Sequence, residues 1–80
     1  MAKAQHAQRY RSFPSFLREM REEAGMTQRD LAKKLGMTHI WVHKSETGER
    51  RVDVTEFLEW CVGCGVDPEN AFKELVRKRR

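Results

Sequence analysis

Residues 27–49, TQRDLAKKLGMTHIWVHKSETGE, restrict the fold more than any other part of the sequence. They predict two short helices joined by a turn at Gly36. Thr27 with Asp30 is a variant of the capping box that begins a helix, and Thr38 is a second N-cap. Glycine directly after a helix suits the left-handed conformation that ends it. Because helices of about two turns are marginal alone in water, the rest of the chain must hold this pair.

A first helix is predicted upstream of the pair, since apolar side chains recur at helical spacing through FPSFLREMREEAG. Ser12 or Phe13 is expected to cap it, because Pro14 suits the first turn of a helix. Gly25 is expected to end it. Residues 1–11 lack such a periodicity and contain basic but no acidic residues, so they are expected to form a flexible basic arm.

Two more helices are predicted downstream, which gives a compact all-α fold of five helices without strands. The fourth lies in VTEFLEWCVGC, and the fifth lies in VDPENAFKELVRKRR, where Asp67 and Pro68 suit a cap and a first turn. The expected buried stripe of the fourth helix is Val54, Phe57, Leu58, Cys61 and Cys64. The expected apolar face of the fifth is Ala71, Phe72, Leu75 and Val76. The predicted domain spans residues 12–77, and residues 78–80 are expected to form a basic tail.

The size and composition of the chain restrict its function. A domain of 80 residues buries only about 60% of its unfolded surface, which leaves little room for a catalytic cleft. No apolar run is long enough for a membrane span, and the N-terminus lacks the apolar centre of a secretory signal. The histidines and acidic residues form no recognisable catalytic or metal-binding pattern. We therefore expect a cytoplasmic protein that is not an enzyme and needs no metal or cofactor.

The net charge of +4 is unevenly distributed. Residues 25–52 contain six basic and three acidic side chains, whereas residues 53–76 contain one basic and six acidic side chains. A basic surface on one part of a small domain is a typical electrostatic footprint of nucleic-acid binding. Ordinary solvated charge is the alternative explanation of the same pattern.

The order and spacing of these features resemble the phage repressor/Cro family of DNA-binding domains, also called Xre-type regulators. The matching segments are LREMREEAGMTQRDLAKKLGM, then V.K.E.GERR and EFLEWCVGCGVDP, within residues 17–66. The resemblance implies a lambda-repressor-like domain with a helix-turn-helix, whose second helix lies in the major groove while the first braces it across the backbone. It also implies a sequence-specific transcriptional regulator that binds double-stranded DNA as a homodimer.

The resemblance further implies roles for individual side chains. Those expected to face base edges are His39, Ile40 and Lys44. Those expected to contact phosphates are Gln28, Thr38, His43, Arg50 and Arg51. Arg21 and Glu46 are expected to form an ion pair between the first helix and the end of the third. For each exposed residue, solvated surface is the alternative.

Four other positions have predicted structural roles. Trp41 is expected to pack between the second and third helices, with base stacking as the alternative. Ser45 replaces the large apolar or aromatic residue of the family pattern, so packing behind the third helix is expected to be looser. The resemblance implies that Cys61 and Cys64 lie in the core, because relatives have an alanine and a buried leucine at these positions. A single pair of cysteines is also too few for a disulfide scaffold or a four-ligand zinc site. A redox switch or shared metal binding is the alternative for this pair.

The last predictions concern partners. One reading helix spans only a few base pairs, and regulators with this motif place two copies on a near-palindromic site. Phe72, Leu75 and Val76 are expected to form the dimer interface; alternatively they cover the first and fourth helices. The alternative function is a protein-interaction module, an antitoxin or a co-regulator, whose main partner is a toxin or the transcription machinery.

Overall fold

The computed structural model describes residues 8–78, with their side chains from Arg11 onward, as five α-helices. The helices are α1 (Gln8–Glu23), α2 (Gln28–Leu35), α3 (His39–Thr47), α4 (Val54–Gly63) and α5 (Pro68–Lys78). The described part of the chain contains no strand, so the predicted all-α fold class is confirmed. Among residues 8–78, no helix is both long and apolar enough to cross a membrane.

The α2–α3 pair is set by local capping interactions that the sequence signals. The Thr27 hydroxyl accepts a hydrogen bond from the Asp30 N–H at 3.0 Å, and the Asp30 carboxylate accepts one from the Thr27 N–H at 2.9 Å. Gly36 ends α2 with φ 69°, a left-handed conformation that costs glycine little. The Thr38 hydroxyl then accepts from the Trp41 N–H at 3.1 Å and begins α3.

The first helix begins earlier than predicted. α1 starts at Gln8, and Pro14 lies inside it, so the expected cap at Ser12 or Phe13 is wrong. Proline interrupts one hydrogen bond of a helix, but here its ring is buried and packs beside Gly48. A Cβ at that glycine would lie 3.4 Å from Pro14 Cγ. We infer that this packing offsets the missing hydrogen bond.

The helical region extends beyond the predicted boundaries at both ends. Residues 8–11 of the expected arm belong to α1, and Lys78 of the expected tail belongs to α5. Residues 1–7 and 79–80 lie outside the described residues.

A single apolar core joins the helices. Its members are Phe16, Leu17, Met20, Leu31, Ala32, Val42, Phe57, Trp60, Cys61, Cys64, Ala71 and Leu75. Cys61 and Cys64 are free thiols within it. Burial raises the pKa of each thiol to about 11. A protonated, buried thiol reacts poorly, and this supports the core role over the redox alternative.

α4 buries Phe57, Cys61 and Cys64 as expected, but Trp60 takes the place of two other residues of the predicted stripe. Trp60 is fully buried, and its indole N–H donates to the Leu17 carbonyl at 3.1 Å. Val54 is 72% exposed and Leu58 is 44% exposed, so their predicted burial is wrong. Either stripe has helical spacing, but Trp60 brings the larger apolar surface and satisfies its N–H inside the core.

Candidate nucleic-acid interface

The three predicted base-facing residues all lie on α3. Ile40 is 54% exposed, Lys44 is exposed and His39 is half-buried. Val42 on the same helix is completely buried and fixes the inner side of α3 in the core. The helix therefore presents an apolar side chain and a cation to solvent from a backbone that is anchored behind them.

The structure brings Arg21 and Glu46 together as a bidentate ion pair. Arg21 Nε donates to Glu46 Oε2 at 2.6 Å, and Nη2 donates to Oε1 at 3.0 Å. Arg21 Nη1 also donates to the Met26 carbonyl at 2.7 Å. The hydrogen bond with Glu46 raises the pKa of the Arg21 guanidinium above its ordinary value. This pair ties α1 and the loop before α2 to the end of α3.

Gln28 and His43 extend this network to the surface. The Gln28 side-chain amide donates to Glu46 Oε1 at 3.0 Å, and the same nitrogen lies 3.4 Å from His43 Nδ1. His43 is exposed and Gln28 is half-buried. The Gln28 amide is thus bonded to Glu46 in the free protein, and its predicted phosphate contact stays a prediction.

Arg50 is engaged with side chains of the protein, and its predicted role as a phosphate contact stays a prediction. Its guanidinium donates to Glu56 Oε2 at 2.9 Å and to the Ser45 hydroxyl at 3.3 Å, and its Cζ lies 4.5 Å from the Trp41 ring centroid. Three partners within the chain satisfy this cation, and its side chain is 28% exposed. Arg51 is exposed and keeps its predicted phosphate role as a hypothesis.

Trp41 and Ser45 face α4 in a way that the sequence did not predict. The Trp41 ring lies 6.0 Å from the Trp60 ring, between centroids, with 34° between the planes. Ser45 is 1% exposed and donates to the Trp41 carbonyl at 2.8 Å. Trp41, Trp60 and Arg50 therefore pack together behind α3, where looser packing was expected. Two features of the sequence could have indicated this contact. An aromatic residue of α3 precedes Arg50 along the chain, and an acidic residue early in α4 follows it.

A second exposed surface lies on α4 and α5 and includes part of the predicted dimer interface. Phe72 is 58% and Val76 is 41% exposed, whereas Leu75 is 9% exposed and belongs to the core. Leu75 is thus corrected to a core residue, because the helix turns it inward toward the other helices. A cleft of about 430 Å³ on this surface is lined by Val54, Phe57, Leu58, Pro68, Glu69, Phe72 and Lys73.

Comparisons with known proteins agree with this geometry. A family described as helix-turn-helix domain matches residues 14–72. An XRE-family like protein from Pseudomonas syringae pv. tomato is 41% identical, with 88% of this chain and 85% of that chain covered and a TM-score of 0.80. The restriction-modification controller protein C.AhdI from Aeromonas hydrophila is 29% identical, with 78% and 90% covered and a TM-score of 0.71.

A third structure shares the fold. The clp gene regulator ClgR from C. glutamicum is 21% identical, with 90% of this chain and 92% of that chain covered and a TM-score of 0.76. The comparison with curated proteins gave no match. From the domain match over most of the sequence and the 41% identical structure, the chain belongs to the Xre-type helix-turn-helix family of DNA-binding transcriptional regulators.

Proposed function

We propose that this regulator recognises a specific duplex DNA sequence by placing α3 in the major groove, and that it acts as a homodimer in the cytoplasm. The observation that supports this most is the exposure of Ile40 and Lys44 on a helix held from behind by Val42 and the Arg21–Glu46 pair. A major groove about 12 Å wide admits one such helix.

The exposed side chains of α3 have complementary chemistry for base edges. The Lys44 ammonium can donate to the guanine N7 and O6 acceptors, and Ile40 can cover a thymine methyl group. His39 at the start of the helix supplies a ring nitrogen to a neighbouring base. These contacts supply sequence preference.

A separate group of residues supplies orientation on the DNA. Thr38, His43 and Arg51 are exposed around α3, and Gln28 lies beside His43. Contacts of such residues with phosphates fix the register and make affinity depend on salt, but they carry no sequence information. We assign Arg51 the main ionic contact in this group.

We assign the dimer contact to the apolar surface of α4 and α5. Val54, Leu58, Phe72 and Val76 expose large apolar side chains there. A symmetric dimer buries the same patch of both copies against each other. Two copies then place their α3 helices in successive major grooves, roughly 34–36 Å apart.

The same apolar surface also supports the second candidate, a protein-interaction module. A toxin or a subunit of the transcription machinery would occupy the α4–α5 surface in place of a second copy. In that case DNA reading by α3 would be weak or absent, so DNA selection discriminates between the two functions.

The direct test is selection of bound duplexes from a random pool at low salt, followed by titration of the selected duplex. We expect enrichment of a near-palindromic site. Affinity should fall steeply between roughly 50 and 200 mM salt, because several neutralised phosphates release their counterions. A pool that stays random after repeated rounds would reject sequence-specific binding.

The two kinds of DNA contact are separated by Lys44→Ala and Arg51→Ala. We expect Lys44→Ala to lose roughly 1–3 kcal/mol of preference for the selected site over random DNA. Arg51→Ala should weaken binding to all sequences alike and reduce the salt slope by about one. Equal losses on selected and random duplexes for both variants would contradict these assignments.

A further inference from the structure

We propose that Arg50 is a positioning residue for DNA reading, because it forms with Trp41 and Glu56 a clamp that fixes α3 on the first turn of α4. This inference rests on the proposed reading of bases by α3. It gives Arg50 an indirect role in specificity, in place of a direct phosphate contact.

The clamp joins two helices through one side chain. Arg50 lies in the loop between α3 and α4, and its guanidinium lies over the Trp41 ring of α3 at 4.5 Å while donating to Glu56 of α4 at 2.9 Å. The Trp41 ring also packs against the completely buried Trp60, with 6.0 Å between the ring centroids. The ring of Trp41 therefore contacts both the cation and the core.

Every partner of Arg50 is itself held in place. Glu56 Oε1 accepts from the Asp53 N–H at 3.0 Å in the capping box of α4, which leaves Oε2 for Arg50. Ser45, which accepts from Arg50, donates to the Trp41 carbonyl. The Arg50 N–H donates to the Lys44 carbonyl at 3.2 Å. A partly buried ion pair with fixed neighbours orients its groups more strongly than an exposed pair does.

The position of the clamp on α3 explains why specificity depends on it. Trp41 directly follows Ile40 and precedes Lys44 by about one helical turn. The Arg21–Glu46 pair holds the last turn of α3, whereas the clamp holds the Trp41 side of the helix. Without the clamp, the rotation of α3 in the groove is less restricted, and small misplacements of base-contacting atoms weaken discrimination.

Charge-preserving variants separate a clamp from a phosphate contact. Arg50→Lys keeps the positive charge that a phosphate would need, but loses the planar fork that bonds Glu56 and covers Trp41. Glu56→Gln changes no residue assigned to DNA. Its side-chain oxygen can keep the capping box, while its amide nitrogen cannot accept from Arg50.

Two matched controls account for charge and for general effects of substitution. Arg77→Lys makes the same exchange at an exposed position of α5. Glu59→Gln removes the same charge from an exposed residue of α4. Binding of the wild-type protein and the variants is measured on the selected duplex and on a random duplex of equal length, across a salt series.

We expect Arg50→Lys and Glu56→Gln each to reduce the ratio of selected to random affinity by roughly fivefold or more, the lower range for one base contact. The salt slope of Arg50→Lys should stay at the wild-type value. The ratios of Arg77→Lys and Glu59→Gln should change by no more than about twofold, as for ordinary surface substitutions.

The free protein provides a readout that does not depend on DNA. In Arg50→Lys and Glu56→Gln, acrylamide should quench tryptophan fluorescence more strongly than in the wild type, because Trp41 loses its cover while Trp60 stays buried. Thermal melts verify that each variant is folded. If Arg50→Lys does not fold, Glu56→Gln carries the same comparison.

The outcomes assign failure to one proposal or the other. If Lys44→Ala lowers the affinity ratio while Arg50→Lys and Glu56→Gln leave both ratio and quenching unchanged, the clamp is rejected and base reading by α3 stands. If Arg50→Lys retains the ratio and Arg50→Ala lowers the salt slope by about one, Arg50 is a phosphate contact. If quenching rises in Arg50→Lys and Glu56→Gln while these variants and Lys44→Ala all keep the wild-type affinity ratio, the clamp exists. In that case the proposed base reading and the specificity role of Arg50 both fail.

Discussion

The α3 surface and the α4–α5 surface both expose apolar side chains, but they hold them in different environments. On the α3 surface, Gln28 beside His43 is tied to a buried charge, since it donates to Glu46 and Arg21 bonds the same carboxylate. Around Phe72 the cleft is lined mainly by apolar side chains. The first arrangement suits directional hydrogen bonds of fixed geometry, whereas the second suits burial, which has no preferred direction.

This difference indicates why the domain contains buried charges at all. A buried ion pair costs desolvation free energy, and an apolar replacement of similar volume is often equally stable. We expect its contribution here to be the fixed geometry of α3, the helix proposed to lie in the major groove. The contact proposed for the α4–α5 surface needs no such network, because burial of apolar side chains tolerates small shifts.

The largest expected effect comes from breaking the buried pair. Arg21→Ala leaves Glu46 buried without its cation, so we expect a loss of up to roughly 3–5 kcal/mol in the free energy of unfolding. Urea unfolding at neutral pH measures it. Arg18→Ala is the matched control on α1, because Arg18 pairs with Glu22 at 61% and 52% side-chain exposure and should change stability by less than about 0.5 kcal/mol. Similar midpoints for both variants would contradict a structural role for the pair.

The second prediction concerns the apolar surface. Phe72→Glu with Val76→Glu should leave the monomer folded, because both side chains are exposed. The dimer dissociation constant should rise by at least roughly 100-fold, since each copy loses burial of a phenylalanine, worth about 1.5–3 kcal/mol. Sedimentation equilibrium of the wild type and the variant measures the change.

A matched variant tests whether the effect is apolar or electrostatic. Glu74→Gln changes the charge of an exposed position on the same helix and should leave the assembly state unchanged. A wild type that stays monomeric at high micromolar concentration, alone and on its selected DNA site, would reject the homodimer.

Local signals in the sequence were sufficient to locate the helices but not to predict the contacts between them. Thr27, Gly36 and Thr38 mark α2 and α3 because capping depends on residues a few positions apart. The start of α1 was misplaced, because Pro14 is as compatible with a first turn as with an interior position that is packed against a distant glycine. Only the tertiary contact with Gly48 distinguishes these two placements of Pro14 in the helix.

The same distinction applies to the candidate site. The spacing of the family pattern located Ile40 and Lys44 on the outer face of α3, but it did not indicate the contacts that Arg50 makes. Those contacts come from two helices, and the spacing within one helix does not encode them. Similarly, α4 had two apolar stripes of helical spacing, and the packing of Trp60 decided which one is buried.

The smallest predicted effect compares the caps of the two regions. α3 begins at the uncharged Thr38, with no acid in its first turn, and α4 begins at the ionisable Asp53. Hydrogen bonds, first from the Glu56 backbone N–H and then from the Thr55 hydroxyl, hold the pKa of Asp53 below its ordinary value of 3.8. Because this pKa is lower in the folded state than in the unfolded chain, ionised Asp53 stabilises the fold. Its contribution is complete above about pH 5 and is lost as the pH falls through the folded-state pKa.

Asp53→Asn isolates this contribution, because asparagine is a comparable N-cap but does not ionise. We expect the variant to melt slightly below the wild type at pH 6, and the two melting temperatures to converge as the pH approaches 2, well below the pKa of an ordinary carboxyl group. Thr38→Asn is the control at α3, where the gap from the wild type should stay the same at every pH. A constant gap for Asp53→Asn would show that the charge of this cap does not stabilise α4, and that the two regions begin their helices by the same uncharged hydrogen bonds.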